Sequence, residues 1–177
     1  MLCFINSVAE VHQCCQLIDQ LTNHTIKTYP LVQSQTAPQQ KNFVENGRVF
    51  FSTTVAETSL TFPSLRYVID TGVINTPVYD LESSRTVLRK LEAAQSMVKQ
   101  CLGRLGRTAP GEYHYLYDIK LDQSSHPTPQ ICQTDLTTIE LSLRRSIIGQ
   151  GLDYFNHFLP NKLHQKAIDK AVNELRR

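Results

Sequence analysis

Short apolar runs alternate with amphipathic segments through residues 2–70. The apolar runs are 2–5, 26–32, 48–53 and 66–70. Such continuous runs are typical of parallel strands that are buried on both faces. An apolar stripe at helical spacing predicts a helix over 8–21, and Pro38 suits the first turn of a second helix over 38–45. This order of strands and helices predicts an α/β fold with a mostly parallel sheet and helices on both faces.

The pattern changes after residue 77. Two short apolar runs around a polar turn predict a β-hairpin over 77–88, followed by a helix over 93–102 and a strand over 113–117. The polar stretch 122–134 contains Pro127 and Pro129, which predicts a linker. Asp135 suits a helix N-cap, and the helix is expected to continue through Ile147. A final helix is predicted over 163–175, so the expected organisation is a domain over 1–121, a linker and a short helical tail over 135–177.

Composition indicates a globular chain and excludes several classes of protein. The 177 residues are 41% hydrophobic and 19% charged, which are globular values rather than those of a disordered chain. The five cysteines form no CxxC pair and are odd in number, which argues against a disulfide framework or zinc ribbon and favours a reducing, intracellular compartment. No stretch is apolar for long enough to predict a membrane span. The first residues lack a basic leader and resemble a strand entered abruptly, so we expect a longer parent chain.

Two arginines flanked by glycines dominate the segment 100–107. Gln100, Arg104 and Arg107 share one face if the run is helical, and Gly103 lets a phosphate approach the backbone. Two guanidinium groups aimed at one spot suit a phosphate that gains charge in a transition state. Residues 85–107 carry six basic residues against one acidic residue, which fits phosphate binding. The alternative is a helix end with two solvated arginines.

A second polar run, 52–61, is dense in hydroxyl groups and follows an apolar strand. Hydroxyl groups in this position suit the backbone phosphates and ribose of a nucleic acid or nucleotide. The alternative is that Thr58, Ser59 and Thr61 only cap a turn.

Both runs together resemble motifs V and VI of the DEAH-box RNA helicases, whose patterns are approximately ATNIAETSLT, then VVDTG, and QRAGRAGRTGPG. Residues 2–10 resemble motif IV more weakly, with Asn6 and Ser7 in place of Thr-Gly. The tail from Thr128 resembles the entry into the winged-helix region of that family. The resemblance implies a second RecA-like domain with an inserted β-hairpin, followed by the start of a winged-helix-like region.

The resemblance also implies roles for individual residues. Gln100, Arg104 and Arg107 match the catalytic positions of motif VI, where one arginine acts as an arginine finger. The implied nucleotide contacts are Phe43, Thr61 and Gly103, and the implied RNA contacts are Thr53, Thr54, Arg85 and Arg89. Further positions depart from the pattern: Cys101 stands where arginine is usual, Thr54 where asparagine is usual, and Pro63 where aspartate is common. In the tail, Gln130 and Gln133 stand where the family has glutamate and arginine. Phe43 also fits a plain core position, and the hairpin also fits an ordinary sheet edge.

The seven glycines begin no GxxxxGK[ST] phosphate loop, and no DExH metal site is present in the sequence. We therefore expect ATP and Mg²⁺ to be held mainly by an absent upstream domain, with single-stranded RNA as the second partner and no membrane. The chain alone is expected to be inactive in ATP hydrolysis. The rival interpretations are a catalytically decayed RNA-binding or assembly module, and the equivalent domain of a related viral helicase.

Overall fold

The computed structural model describes residues 1–54, 60–118 and 124–176. The strands in these ranges are β1 (Leu2–Phe4), β2 (Thr28–Leu31), β3 (Val49–Ser52), β4 (Tyr67–Asp70), β5 (Val73–Asp80), β6 (Arg85–Glu92) and β7 (Glu112–Tyr115). The helices are α1 (Val8–Leu21), α2 (Ala37–Asn46), α3 (Gln95–Leu102), α4 (Thr137–Arg145), α5 (Leu152–Asn156) and α6 (Gln165–Leu175).

Five strands form one parallel sheet in the order β2-β3-β1-β4-β7, and β5 and β6 form a separate two-stranded hairpin. The predicted α/β class is therefore confirmed. Side chains alternate between the faces of the sheet, as the pleat requires. Leu2 and Phe4 enter one core cluster with Val44 of α2 and Cys101 of α3. Cys3 points to the other face and joins Val11 of α1, so helices cover both faces.

Local sequence explains where the first two helices begin. The Ser7 hydroxyl accepts a hydrogen bond from the Glu10 amide and caps α1. Thr36 and Gln39 form a capping box at the start of α2, and Pro38 occupies its first turn.

The described residues divide into two compact units. The first, here called the sheet unit, comprises Met1–Asn75 and Lys90–Pro127. The second, the hairpin–tail unit, comprises Thr76–Arg89 and Thr128–Arg177. Its core is formed by Leu136, Leu152, Leu163, Ile168 and Ala171, which lie on or beside the three tail helices.

Three sequence predictions about these elements were wrong. The hairpin strands are longer than predicted, because β5 and β6 occupy Val73–Asp80 and Arg85–Glu92 rather than 77–88. The helix after Asp135 ends at Arg145, and Ile147 lies beyond it, fully exposed. The N-cap of α4 is Leu136 rather than Asp135, although the Asp135 carboxylate accepts a hydrogen bond from the Thr137 amide in the first turn.

Candidate functional site

The carboxyl ends of β3, β1 and β4 lie side by side in the sheet, so the residues that follow them meet at one edge. Ligands of open parallel sheets bind outside this edge. Thr53 and Thr54 follow β3. Thr53 is half-buried and its amide donates a hydrogen bond to the Leu31 carbonyl, whereas Thr54 is exposed. Across the edge, the Thr71 hydroxyl lies 3.1 Å from the Asn6 side-chain oxygen.

Asn6 also accepts a hydrogen bond on its backbone carbonyl from the Asn75 side chain, at 3.2 Å. The segments after β1 and β4 are therefore joined by polar contacts at the carboxyl edge. The sequence marks Asn6 only as a weak motif match, and this network of side chains was not predicted. The signal was available in principle, because Asn6 lies two residues after the end of β1 and Thr71 lies directly after β4.

Asp70 is a buried carboxylate at the end of β4, only 5% exposed. One oxygen accepts a hydrogen bond from the Gly72 amide at 2.9 Å. The other accepts hydrogen bonds from the phenols of Tyr113 and, at 3.4 Å, Tyr117. Burial first, and then the Asp70 carboxylate, raise the pKa of both phenols, so they remain donors. Asp70 thus fixes the turn that leads from the sheet into the hairpin.

The opposite, amino edge of the sheet carries the arginine segment. Residues 60–66 lead into β4 and residues 103–111 lead into β7, and these two strands pair in parallel. The Glu112 amide donates to the Arg66 carbonyl, and the Arg66 guanidinium donates to the Pro110 carbonyl at 3.1 Å. The end of the hydroxyl-rich run and the arginine segment are therefore neighbours, although they are distant in the sequence.

The two arginines have different surroundings. The half-buried Arg104 donates through Nη1 to the Leu60 carbonyl at 3.2 Å. Arg107 is exposed, and its Nε donates to the Gly103 carbonyl at 3.0 Å. The helix ends at Leu102, so only Gln100 of the three predicted catalytic residues lies on it. The three do not share one continuous helical face.

The predicted nucleotide contacts lie around the same edge. Gly103 is the C-cap of α3, and Thr61 is exposed next to Leu60. Phe43 packs against the core cluster that also receives Leu60 and Leu105, with its ring centroid 5.3 Å from that of Tyr29. This placement fits the core alternative for Phe43, and base stacking stays a prediction.

Arg85 and Arg89 lie on β6 of the hairpin and are both exposed. Arg89 faces the Asp80 carboxylate at 3.7 Å. Hydrogen bonds from Ser83, and then the charge of Arg89, lower the pKa of Asp80, so this carboxylate is ionised and offsets part of the Arg89 charge. Arg85 forms no such pair in the described part of the chain.

Glu57, Thr58 and Ser59 of the hydroxyl-rich run lie outside the described residues. Within residues 1–54, 60–118 and 124–176, no group of three or more His, Cys, Asp or Glu side chains could hold a metal ion. In the same ranges, no helix is both long and apolar enough to cross a bilayer.

Comparisons with known proteins agree with this architecture. Residues 1–109 match the family described as "Helicase conserved C-terminal domain". The chain is 33% identical over 121 residues to "ATP-dependent RNA helicase DEAH11, chloroplastic" of Arabidopsis thaliana, covering 66% of this chain and 7% of the relative. It is 28% identical over 194 residues to "Probable ATP-dependent RNA helicase DHR2" of Saccharomyces cerevisiae, covering 99% of this chain and 25% of the relative. The chain therefore spans a quarter or less of the length of these curated relatives.

Among solved structures, the Escherichia coli DExH-box NTPase HrpB superposes with a TM-score of 0.78 at 22% identity, over 99% of this chain and 22% of that one. At this identity the likeness shows the fold, a RecA-like helicase domain. The family match spans both the hydroxyl-rich run and the arginine segment. The chain therefore belongs to the helicase conserved C-terminal domain family, in its DEAH-box group.

Proposed function

We propose that this chain is the second motor domain of an ATP-dependent RNA helicase. In this proposal it completes a composite ATPase site whose phosphate loop and Mg²⁺ ligands lie on an upstream RecA-like domain of the same protein. Support comes from the family match and from relatives that are named ATP-dependent RNA helicases. Such a protein acts where RNA is present, in the cytoplasm or nucleus.

The observation that carries the proposal is the contrast between the two arginines. Arg104 donates a hydrogen bond to the Leu60 carbonyl, so it holds the arginine segment against Leu60, the neighbour of Thr61. Arg107 is exposed and is held by one bond to a backbone carbonyl, which leaves most of its donors for a ligand. We therefore assign the arginine finger to Arg107, where its charge stabilises the phosphoryl group in the transition state.

The residues of the amino edge fit a nucleotide that approaches from another domain. Gln100, Gly103 and Thr61 are exposed, as Arg107 is; Gln100 offers a side-chain amide and Thr61 a hydroxyl, and Gly103 has no side chain to obstruct a phosphate. Bound Mg²⁺ would neutralise phosphate charge, and its ligands are assigned to the upstream domain. ATP binding then closes the two domains onto each other, and hydrolysis releases Arg107 from the phosphates.

RNA contacts are assigned to the carboxyl edge and to the hairpin. Thr53 and Thr54 would bind the backbone of a single strand, and Arg85 and Arg89 would bind phosphates from β6. Backbone contacts carry little sequence information, so RNA sequence preference should be weak. Domain closure and opening would move the RNA held at this edge.

The test is steady-state ATP hydrolysis by the parent protein, with and without single-stranded RNA. Arg107→Ala should lower RNA-stimulated turnover by about a hundredfold or more, as loss of an arginine finger does. Its melting temperature should not change, because the side chain is exposed. Arg107→Lys keeps the charge but loses the planar fork, so it should restore little activity. Arg145→Ala removes an exposed arginine from the last turn of α4 and serves as the matched control.

Turnover that survives Arg107→Ala would refute the assignment of the finger. A parent protein that binds RNA without hydrolysing ATP would instead favour the decayed binding module. The 177-residue chain alone, once circular dichroism has shown that it is folded, should not hydrolyse ATP. Robust hydrolysis by this chain would refute the composite site.

A further inference from the structure

One lysine of the tail helix α6 reaches the turn of the β-hairpin, inside the hairpin–tail unit. The Lys170 ammonium donates to the Leu81 carbonyl at 2.5 Å and to the Ser84 hydroxyl at 2.6 Å. It also lies 5.1 Å from the ring centroid of Tyr79, on the strand that enters the turn. An ammonium has three donors, and two of them are used on one four-residue turn.

The helix that carries Lys170 is fixed by its own packing. Ile168 is fully buried and Ala171 nearly so, in the core of the hairpin–tail unit. The Thr137 hydroxyl, at the start of α4, donates to the Glu174 carboxylate at 2.9 Å. This packing fixes the orientation of α6 about its own axis, and with it the direction in which Lys170 projects. The Lys170 ammonium is therefore a fixed attachment point for the hairpin.

The turn itself needs external support. Ser84 has φ +53, in the left-handed region that residues other than glycine adopt at a cost in conformational energy. Within the turn, the Asp80 carboxylate accepts from the Ser83 amide at 3.1 Å and from the Ser83 hydroxyl at 2.6 Å. These bonds close the turn from Asp80 to Ser83, and Lys170 holds its first and last residues, Leu81 and Ser84.

We infer that Lys170 is a positioning residue that fixes the hairpin turn on α6, and so holds Arg85 and Arg89 of the adjoining strand β6 in place for RNA phosphates during unwinding. This inference rests on the proposed helicase function. The bonds that Lys170 donates to the turn also leave it a poor candidate for a direct phosphate contact. Replacing Lys170 should therefore loosen the hairpin and lower the amount of RNA unwound per ATP hydrolysed.

The first measurement is amide hydrogen exchange of residues 78–88 in the parent protein. Lys170→Met keeps the length of the stem and removes the charge, so exchange in this segment should become about tenfold faster, as expected for the loss of hydrogen bonds to a charged group. Protection of α6 should not change, because its apolar face is untouched. Lys166→Met is the matched control, since Lys166 lies one turn earlier on α6, in the groove that α6 forms with the hairpin turn, and its ammonium bonds to no residue of the described hairpin.

The second measurement compares duplex unwinding with RNA-stimulated ATP hydrolysis. Lys170→Met should lower unwinding per ATP by about tenfold while turnover stays within about twofold. Lys170→Arg should recover much of the loss, because a guanidinium can donate to the same acceptors and stack on Tyr79. Ser84→Ala should slow unwinding alone and add little to Lys170→Met, because the two side chains share one contact.

Unchanged hairpin exchange in Lys170→Met would overturn the inference. So would a raised KM for single-stranded RNA without faster exchange, which would make Lys170 a phosphate contact. A wild-type parent without RNA-stimulated hydrolysis would refute the helicase proposal, and the exchange measurement would then still decide whether Lys170 holds the hairpin.

Discussion

Replacing Gly72 by alanine tests how the turn after β4 is built. Gly72 has φ +69, and its amide donates to the buried Asp70 carboxylate. A Cβ at this position would lie 2.3 Å from the Tyr117 ring. Tyr117 cannot move away without losing its own hydrogen bond to Asp70. Alanine therefore meets two separate penalties, one in the backbone and one from crowding.

The magnitude follows from these two contributions. The left-handed conformation costs a residue with a Cβ about 1–2 kcal/mol. Overpacking against the ring adds about 1–3 kcal/mol, so the free energy of unfolding should fall by about 2–5 kcal/mol. Gly106→Ala is the matched control, because Gly106 has φ +73 and, apart from its chain neighbours, no atom of the described residues lies within 4 Å of the added Cβ. It should cost only the conformational share, about 1–2 kcal/mol.

Urea unfolding, followed by far-ultraviolet circular dichroism, measures both variants in a chain that has no tryptophan. With a slope of about 2 kcal/mol per molar urea, the midpoint should fall by about 1–2.5 M for Gly72→Ala and about 0.5–1 M for Gly106→Ala. In a Tyr117→Ala background, Gly72→Ala should cost no more than Gly106→Ala does. Equal losses for the two glycines in the natural background would refute the crowding argument.

Two further predictions concern buried ionisable groups. Glu140 is fully buried and accepts from the Leu152 amide at 2.6 Å and from Arg144 at 2.5 Å, so Glu140→Ala should cost about 2–3 kcal/mol in urea unfolding. Glu45→Ala, at the exposed pair with Lys41, should cost at most about 0.5 kcal/mol, and equal losses would contradict this account. Burial raises the pKa of Cys3 from 9.0 to about 12, so the folded chain keeps a neutral thiol where the unfolded chain ionises it. That stabilisation is complete below pH 9.0 and is lost as the pH rises toward 12, so Cys3→Ala should flatten this part of the curve of unfolding free energy against pH, as measured by urea unfolding at a series of pH values.

Much of the sheet unit could be predicted from periodicity alone. The helix predicted over 8–21 matches α1, Val8–Leu21, and the parallel α/β class is confirmed. These elements are buried on one or both faces, so burial imposes a strong apolar pattern on their sequences. The hairpin was predicted too short because most residues of β6 are exposed, which removes the alternation that marks a strand. The short helix α5 was missed for a related reason, since it buries only Leu152.

The candidate site, too, could be predicted only in part from the sequence. The motifs alone were enough to name Gln100, Arg104 and Arg107, and their catalytic roles stay predictions. They could not show that Arg104 is tied to Leu60 while Arg107 is exposed. That difference arises because residues 60–66, which lead into β4, lie beside residues 103–111, which lead into β7. The parallel pairing of β4 with β7 brings these two segments together.

Short-range periodicity and residue type encode the local elements, the fold class and the identity of the motif residues, so these could be predicted. Which of the motif residues are held by hydrogen bonds and which are exposed depends on tertiary packing. Lys170 and Ser84 are 86 positions apart, and no local pattern in either segment indicates that they meet. Their contact arises because packing of the tail core sets the rotation of α6, and this rotation is a property of the whole unit.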